Sequence, residues 1–277
     1  MFSPKEIANN YIGIGAGKTK NTILCILILG VFGGMFTGFA GVAATVASAT
    51  VTNGSLSRLL QGAMFPFGLI GSLIAGGEVF VGGALLLAPL AHREARFPAV
   101  MKTLIIVWIG NFIGASLVSA LTVGGGTYSL FSNQAAVHAI SLAVSKANMT
   151  FFMAFFRGIM CGFLVCIGVW VAFAAKDVAG KIIGLYMPIM MFVLCSFSNV
   201  VADMYYITCG LFLKAGGNYA AIAEESGVAV STLTWSAMFA NNMLPVTLGN
   251  FVGGGVIVGL GYWLVYTRRE KRQGTPA

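Results

Sequence analysis

The pentapeptide GNFIG, from Gly110 to Gly114, returns near the far end of the chain as GNFVG, from Gly249 to Gly253. Each copy lies inside a long apolar run. Two further pairs keep the same order. FGGMFTGF (Phe32 to Phe39) is echoed by FRGIMCGF (Phe156 to Phe163), with Phe, Gly, Gly and Phe in register. Pro66 and Pro188 each sit well inside an apolar run, and eleven residues after each comes a non-apolar irregularity, Gly77 and Asn199. A single match carries little weight in a chain with 37 glycines. Three in the same order predict two homologous units.

Composition identifies the solvent those units face. The 277 residues are 58% apolar and 9% charged, whereas a soluble domain carries roughly a quarter charged residues. Apolar windows long enough to cross a bilayer, about 20 residues, fall near 22–46, 60–91, 101–122, 150–175, 182–213 and 242–267. Only helices and closed barrels cross lipid, and these windows have helix length. The chain therefore reads as an all-α integral membrane protein with six transmembrane helices. Three spans per unit is an odd number, so the second unit must insert upside down, giving an inverted repeat. The glycines let helix backbones approach closely where lipid supplies no hydrophobic force between helices.

The whole chain, 1–277, is read as one transmembrane channel domain. It comprises an N-terminal segment 1–20, a first three-helix repeat 21–122, a connecting segment 123–149, a second repeat 150–267 and a tail 268–277. Sorting the 16 basic residues tests the count of six spans. Lys5, Lys18, Lys20, Arg93, Arg96, Lys102, Lys176, Lys181, Arg268, Arg269, Lys271 and Arg272 fall on one side, and Arg58, Lys146, Arg157 and Lys214 on the other. Twelve against four predicts both termini in the cytoplasm of a protein of the inner or plasma membrane. Ser3-Pro4-Lys5-Glu6 has a capping residue, proline at the first helical position and glutamate three residues after the cap. It predicts a short amphipathic helix on the cytoplasmic surface, with Ile7, Tyr11 and Ile12 sharing a face.

Several classes are excluded. The basic residues are scattered and form no nucleic-acid motif. Cys25, Cys161, Cys166, Cys195 and Cys209 all lie in apolar segments with no CxxC pair, so neither a disulfide frame nor a metal site is indicated. A haem-anchoring redox subunit needs histidines within helices, and the two histidines, His92 and His138, fall in connecting segments. No nucleophile with a base and no phosphate loop is present, so no enzyme and no cofactor is predicted.

In inverted-repeat transporters the substrate site lies where equivalent spans are interrupted. Spans two and five should be that pair. Span two carries IAGGEVFVGG (Ile74 to Gly83), four glycines around Glu78, a poor recipe for an unbroken helix. Span five carries CSFSNVVADM (Cys195 to Met204). Irregular backbone at membrane depth survives only where protein or a water cavity satisfies it, and the half-helix N-termini there can offer N–H dipoles to an anion. Glu78 and Asp203 are the acids placed within spans; each must be paired, protonated or wet. Glu78 either faces the interior or ties down the N–H groups of its glycine-rich surround. Asn199 either donates to a small anion or makes an interhelical hydrogen bond.

These letters resemble the formate/nitrite transporter family, which also contains hydrosulfide channels. The similarity covers almost the whole chain. It is most specific at GGEVF (76–80), SKAN (145–148), RGIMCGFLVCIGVW (157–170), FSNVVADM (197–204) and NMLPVTLGNFVGG (242–254). The resemblance implies an aquaporin-like six-helix protomer in a homopentamer, with one pore per protomer for small monovalent anions of weak acids and a linkage to protons. By position, Lys146 matches the family's lysine at the outer entrance, Phe65 and Phe192 its outer narrowing, and Leu69, Val79 and Phe80 its inner one. Such apolar collars exclude hydrated ions by demanding dehydration.

The chain departs from the family between those collars. Asn199 stands where a histidine is usual, Ser198 where a glutamate precedes it, Val81 for a threonine, Gly162 for an asparagine and Asp203 for an asparagine. An amide does not titrate, so Asn199 is no proton donor. The expected passage has the anion gathered at Lys146 and its proton affinity raised in the apolar throat. It then crosses as the neutral acid, protonated from solvent and held by Asn199. The alternative is a pore for a small neutral solute such as ammonia or water.

Overall fold

The computed structural model describes residues 1–267. The basic tail residues Arg268, Arg269, Lys271 and Arg272, and the segment 268–277, lie outside the described residues. The elements are helices: α1 (Pro4–Lys18), α2 (Ile23–Ser48), α3 (Gly54–Gly76), α4 (Phe80–Ala91), α5 (Phe97–Gly124), α6 (Gln134–Ala147), α7 (Phe151–Ala174), α8 (Val178–Leu194), α9 (Val200–Ala215), α10 (Tyr219–Glu225) and α11 (Trp235–Tyr266). α2, α3, α5, α7 and α11 are each long and apolar enough to cross a membrane. α8 and α9 are 17 and 16 residues long, each short of the roughly 20 a crossing needs. Together they make the fifth crossing, as α3 and α4 make the second. Both expected interruptions are therefore present.

One close helix crossing frames each repeat, and small residues set its distance. On α2, a Cβ added at Gly34 would strike the carbonyl oxygen of Asn111 on α5, and one at Gly114 that of Val31. On α7 and α11 the same pattern recurs: Gly162 faces the carbonyl of Asn250, and Gly253 that of Ile159. Backbone thus lies against backbone where packing must replace the hydrophobic effect.

These contacts correct the register read from the letters. FGGMFTGF against FRGIMCGF pairs Gly34 with Gly158, but the contacts pair Gly34 with Gly162 and Gly30 with Gly158. The slip is one helical turn, which a glycine repeat at helical spacing cannot reveal. The proline count likewise sets Gly77 against Asn199. The hydrogen bonds described below set Val79 against Asn199, because a π-helical turn at Ser72–Gly76 uses extra residues before the first break.

α1 begins as expected. Ser3 and Glu6 form a reciprocal capping box, and the Ser3 N–H and hydroxyl hold the Glu6 carboxyl below its usual range. Ile7, Tyr11 and Ile12 are buried. Tyr11 packs on Trp170 and Phe173 of α7, and Trp170 packs on Tyr262 of α11. α1 and the last described turns of α11 therefore share one end of the bundle, called the inner end here. The connector between the repeats is itself largely helical: α6 packs against α9 and carries both His138 and Lys146.

Candidate functional site

Each break is held by the asparagine of a GNF motif. Asn111 accepts from Phe80 N–H at 2.8 Å and donates to the carbonyls of Gly30 and Glu78, both at 2.7 Å. Asn250 accepts from Val200 N–H at 2.9 Å and donates to Gly158 and Ser198 carbonyls at 2.8 and 2.9 Å. One buried amide thus ties the broken helix to the first helix of its repeat and satisfies backbone that lipid could not. The motif was legible as a repeat; its asparagines as clamps were not.

A cavity lies at each break. The inner one is lined by Tyr11 and Lys18 of α1, Leu69, Leu73, Gly77, Glu78, Val79, Gly82, Val169 and Phe173. Glu78 does not tie down the glycine loop. Its carboxylate pairs with the Lys18 ammonium at 2.8 and 2.9 Å, with both side chains partly exposed. Nothing in the sequence around Lys18 announces this partner.

The outer cavity is lined by Arg58, Gln61, Phe65, Leu142, Lys146, Phe192, Val193, Ser196, Phe197, Asn199, Ala202 and Tyr206. Phe65 meets Phe192 edge to face at 5.6 Å and stacks on Tyr206 at 6.3 Å, all three buried. Asn199 caps α9: its Oδ1 accepts from Val201 and Ala202 N–H at 2.9 and 3.3 Å. With Val200 N–H taken by Asn250, the first three N–H groups of this half-helix are occupied. Because Oδ1 accepts both, the Asn199 NH₂ is the end left for other partners, near the Cys161 thiol.

Lys146 and Asp203 form an ion pair at 2.6 Å, with Asp203 fully buried and Lys146 19% exposed. Asn242 supports it, donating to Asp203 Oδ2 and to the Lys146 carbonyl, both at 3.0 Å. Lys214 donates to the carbonyls of Val230 and Leu233.

The remaining residues singled out by sequence lie elsewhere. Phe80 is buried and lines a wide apolar groove between α5 and α11, beside Trp108 and Phe251. Val81 is fully buried, its carbonyl taking the Cys166 thiol at 3.2 Å. Ser198 is buried with its N–H on the Arg157 carbonyl. Gly162 lies in the α7–α11 crossing. None of Val81, Gly162, Ser198 and Asp203 lines either mouth cavity. Asp203 reaches the outer one only through Lys146.

An all-helical membrane bundle with two clamped, interrupted crossings and a cavity at each break defines a multi-pass membrane channel or transporter. Comparison with known proteins narrows the class. The family model described as Formate/nitrite transporter matches residues 5–264. The probable formate transporter of Methanothermobacter thermautotrophicus is 32% identical over 96% of this chain and 97% of its own. The formate channel BtFdhC of Bacillus thuringiensis is 32% identical over 98% of each. A solved pentameric formate channel with formate bound superposes with a TM-score of 0.78 at 29% identity, covering 89% of this chain and 98% of that one. The chain belongs to the formate/nitrite transporter family. Its relatives are channels and transporters, not enzymes.

Proposed function

We propose that the chain forms a homopentameric channel, with one pore per protomer, for small monovalent anions of weak acids in the formate, nitrite or hydrosulfide class. The observation that carries this reading is the pairing of two mouths, at the two clamped breaks, with buried apolar side chains between them. Phe65 and Phe192 close the outer mouth, and Leu69 and Val79 border the inner one. An anion entering that throat loses hydration, and low dielectric raises its affinity for a proton. Passage is then proton-linked, with the proton drawn from solvent. Asn199 holds the solute through its NH₂, because its oxygen is committed to α9. The relative solved with formate bound supports the substrate class and the pentamer. The bias of basic residues supports cytoplasmic termini in the inner or plasma membrane, so that the inner end with α1 faces the cytoplasm.

Uptake of labelled formate into proteoliposomes, measured against an inward proton gradient in the parent and in Asn199→Ala, tests the reading. The parent should accelerate with the gradient, and Asn199→Ala should keep that acceleration while losing apparent affinity. Uptake by the parent that ignores the gradient rules out neutral passage. Competition among formate, nitrite, hydrosulfide and a neutral solute assigns the cargo.

A further inference from the structure

We propose that Arg58, held in place by Gln61, is the residue that gathers the anion at the outer mouth, and that Lys146 does not do so. This rests on reading the outer cavity as the solute's entrance. Four cations belong to the outer side: Arg58, Lys146, Arg157 and Lys214. Lys214 is committed to two carbonyls, and Arg157 does not line the mouth. Of the two that do, Lys146 is bound to a fully buried carboxylate at 2.6 Å. Seen from the cavity, that pair is close to neutral, and its field falls off as a dipole rather than as a charge. Arg58 has no carboxylate partner among the described residues. Its charge is therefore the uncompensated one at the mouth, and Tyr206 and His138 both lie within its field.

The side chain is not left loose. Arg58 Nη1 donates to Gln61 Oε1 at 3.2 Å. Gln61 is buried and anchored through its other end: Nε2 donates to Ser48 Oγ at 3.1 Å and Ser57 Oγ at 3.4 Å. Ser48 in turn lies 2.9 Å from His138 Nε2 on α6. The chain of contacts fixes the guanidinium beside the cavity that holds Phe65 and Asn199 while leaving its remaining N–H groups for a ligand. A planar fork of donors suits a carboxylate or nitrite, whose two oxygens it can meet together.

The test reads the charge of the mouth directly. Ser196 lines the cavity. Ser196→Cys, in a background with Cys25 and Cys195 replaced by serine, is labelled with anionic and cationic thiosulfonates, and the ratio of the two rates is taken. Arg58→Gln should lower the anion preference by about tenfold at low salt. Most of that difference should vanish at about 1 M salt, where screening acts within about 3 Å. The charge-neutral double variant Lys146→Gln/Asp203→Asn should leave the ratio unchanged. An unchanged ratio in Arg58→Gln, or a tenfold fall in the double variant, overturns the proposal. This readout needs no transported solute, so it stands apart from the transport assay. In that assay, Arg58→Gln should raise KM for formate with little change in maximal rate, and Arg58→Lys, which returns the charge but not the fork, should restore part of it. A fall in maximal rate alone, with KM unchanged, also counts against the assignment.

Discussion

At the inner break, Asn111 bridges Gly30, Glu78 and Phe80, and the nearest ion pair, Glu78 with Lys18, is partly open to water. At the outer break, Asn250 makes the same three bonds to Gly158, Ser198 and Val200, but the carboxylate of the ion pair, Asp203 with Lys146, is fully buried. The backbone obeys the internal symmetry and the charges do not. Glu78 itself corresponds to Ser198, and Asp203 has its counterpart at Gly83, with no side chain at all. The clamps answer a demand both halves share, the satisfaction of broken backbone in lipid. The ion pairs answer demands particular to each mouth. At the inner end the partner comes from α1, an element outside the repeat; at the outer end it comes from the connector between repeats.

The shared part of that comparison breaks most severely. Asn111→Ala or Asn250→Ala strands one N–H and the carbonyl at the break, each buried group costing about 1–3 kcal/mol, and takes a second donor from a helix carbonyl. Each variant should lose about 3 kcal/mol or more of stability, seen as a collapse of the assembled peak on thermal challenge in detergent. The two losses should be similar. A neutral Asn111→Ala beside a collapsed Asn250→Ala would show that the breaks are not equivalent.

The charge asymmetry is next in size. Lys146→Ala leaves the fully buried Asp203 carboxylate without its cation, at a cost of about 3 kcal/mol. Glu78→Ala removes a partly exposed pair, worth under about 1 kcal/mol. The same thermal assay should rank them in that order, and equal losses would contradict the burial difference.

Packing at the crossings should cost less. Alanine at Gly34 or Gly162 drives a Cβ against the carbonyl of Asn111 or Asn250, an overpacking penalty of about 1–3 kcal/mol. Gly13 of α1 has open space around it, and Gly13→Ala should be neutral or stabilise by up to about 1 kcal/mol. The contrast separates glycines that permit approach from glycines that merely occur.

Six crossings, their inversion and the two breaks were legible because each leaves a pattern along the chain: apolar length, an odd count per repeat, glycine or polar residues in a greasy run. Phe65, Phe192 and Asn199, which the resemblance set along the pore, line one cavity. The repeat register was misread by a turn at Gly34, since helical periodicity makes neighbouring turns look alike. The partners were not legible. Lys18 for Glu78, Lys146 for Asp203 and the Ser48–Gln61–His138 cluster each join residues far apart in sequence. Pairing of this kind is decided by how helices cross, which no local pattern records.

The smallest effect sharpens the outer mouth alone. Burial, with Arg58 adding to it, holds the His138 imidazole below its usual value of 6.5. The folded protein therefore binds fewer protons there than the unfolded chain does. Its stabilising contribution is complete above about pH 6.5 and falls as the pH drops from there toward the lowered folded value. Arg58, Gln61 and Ser48 face the ring, and no carboxylate stands among these contacts to favour the cation. Between about pH 7 and pH 5, the midpoint of thermal unfolding should fall in the parent by about 1–2 °C more than in His138→Asn. Arg58→Gln should reduce that difference, because one of the two causes of the depressed value is gone. A parent and a His138→Asn variant with identical acid slopes would mean that the ring takes up its proton freely. The chain of contacts from α6 to Arg58 would then be looser than its distances imply.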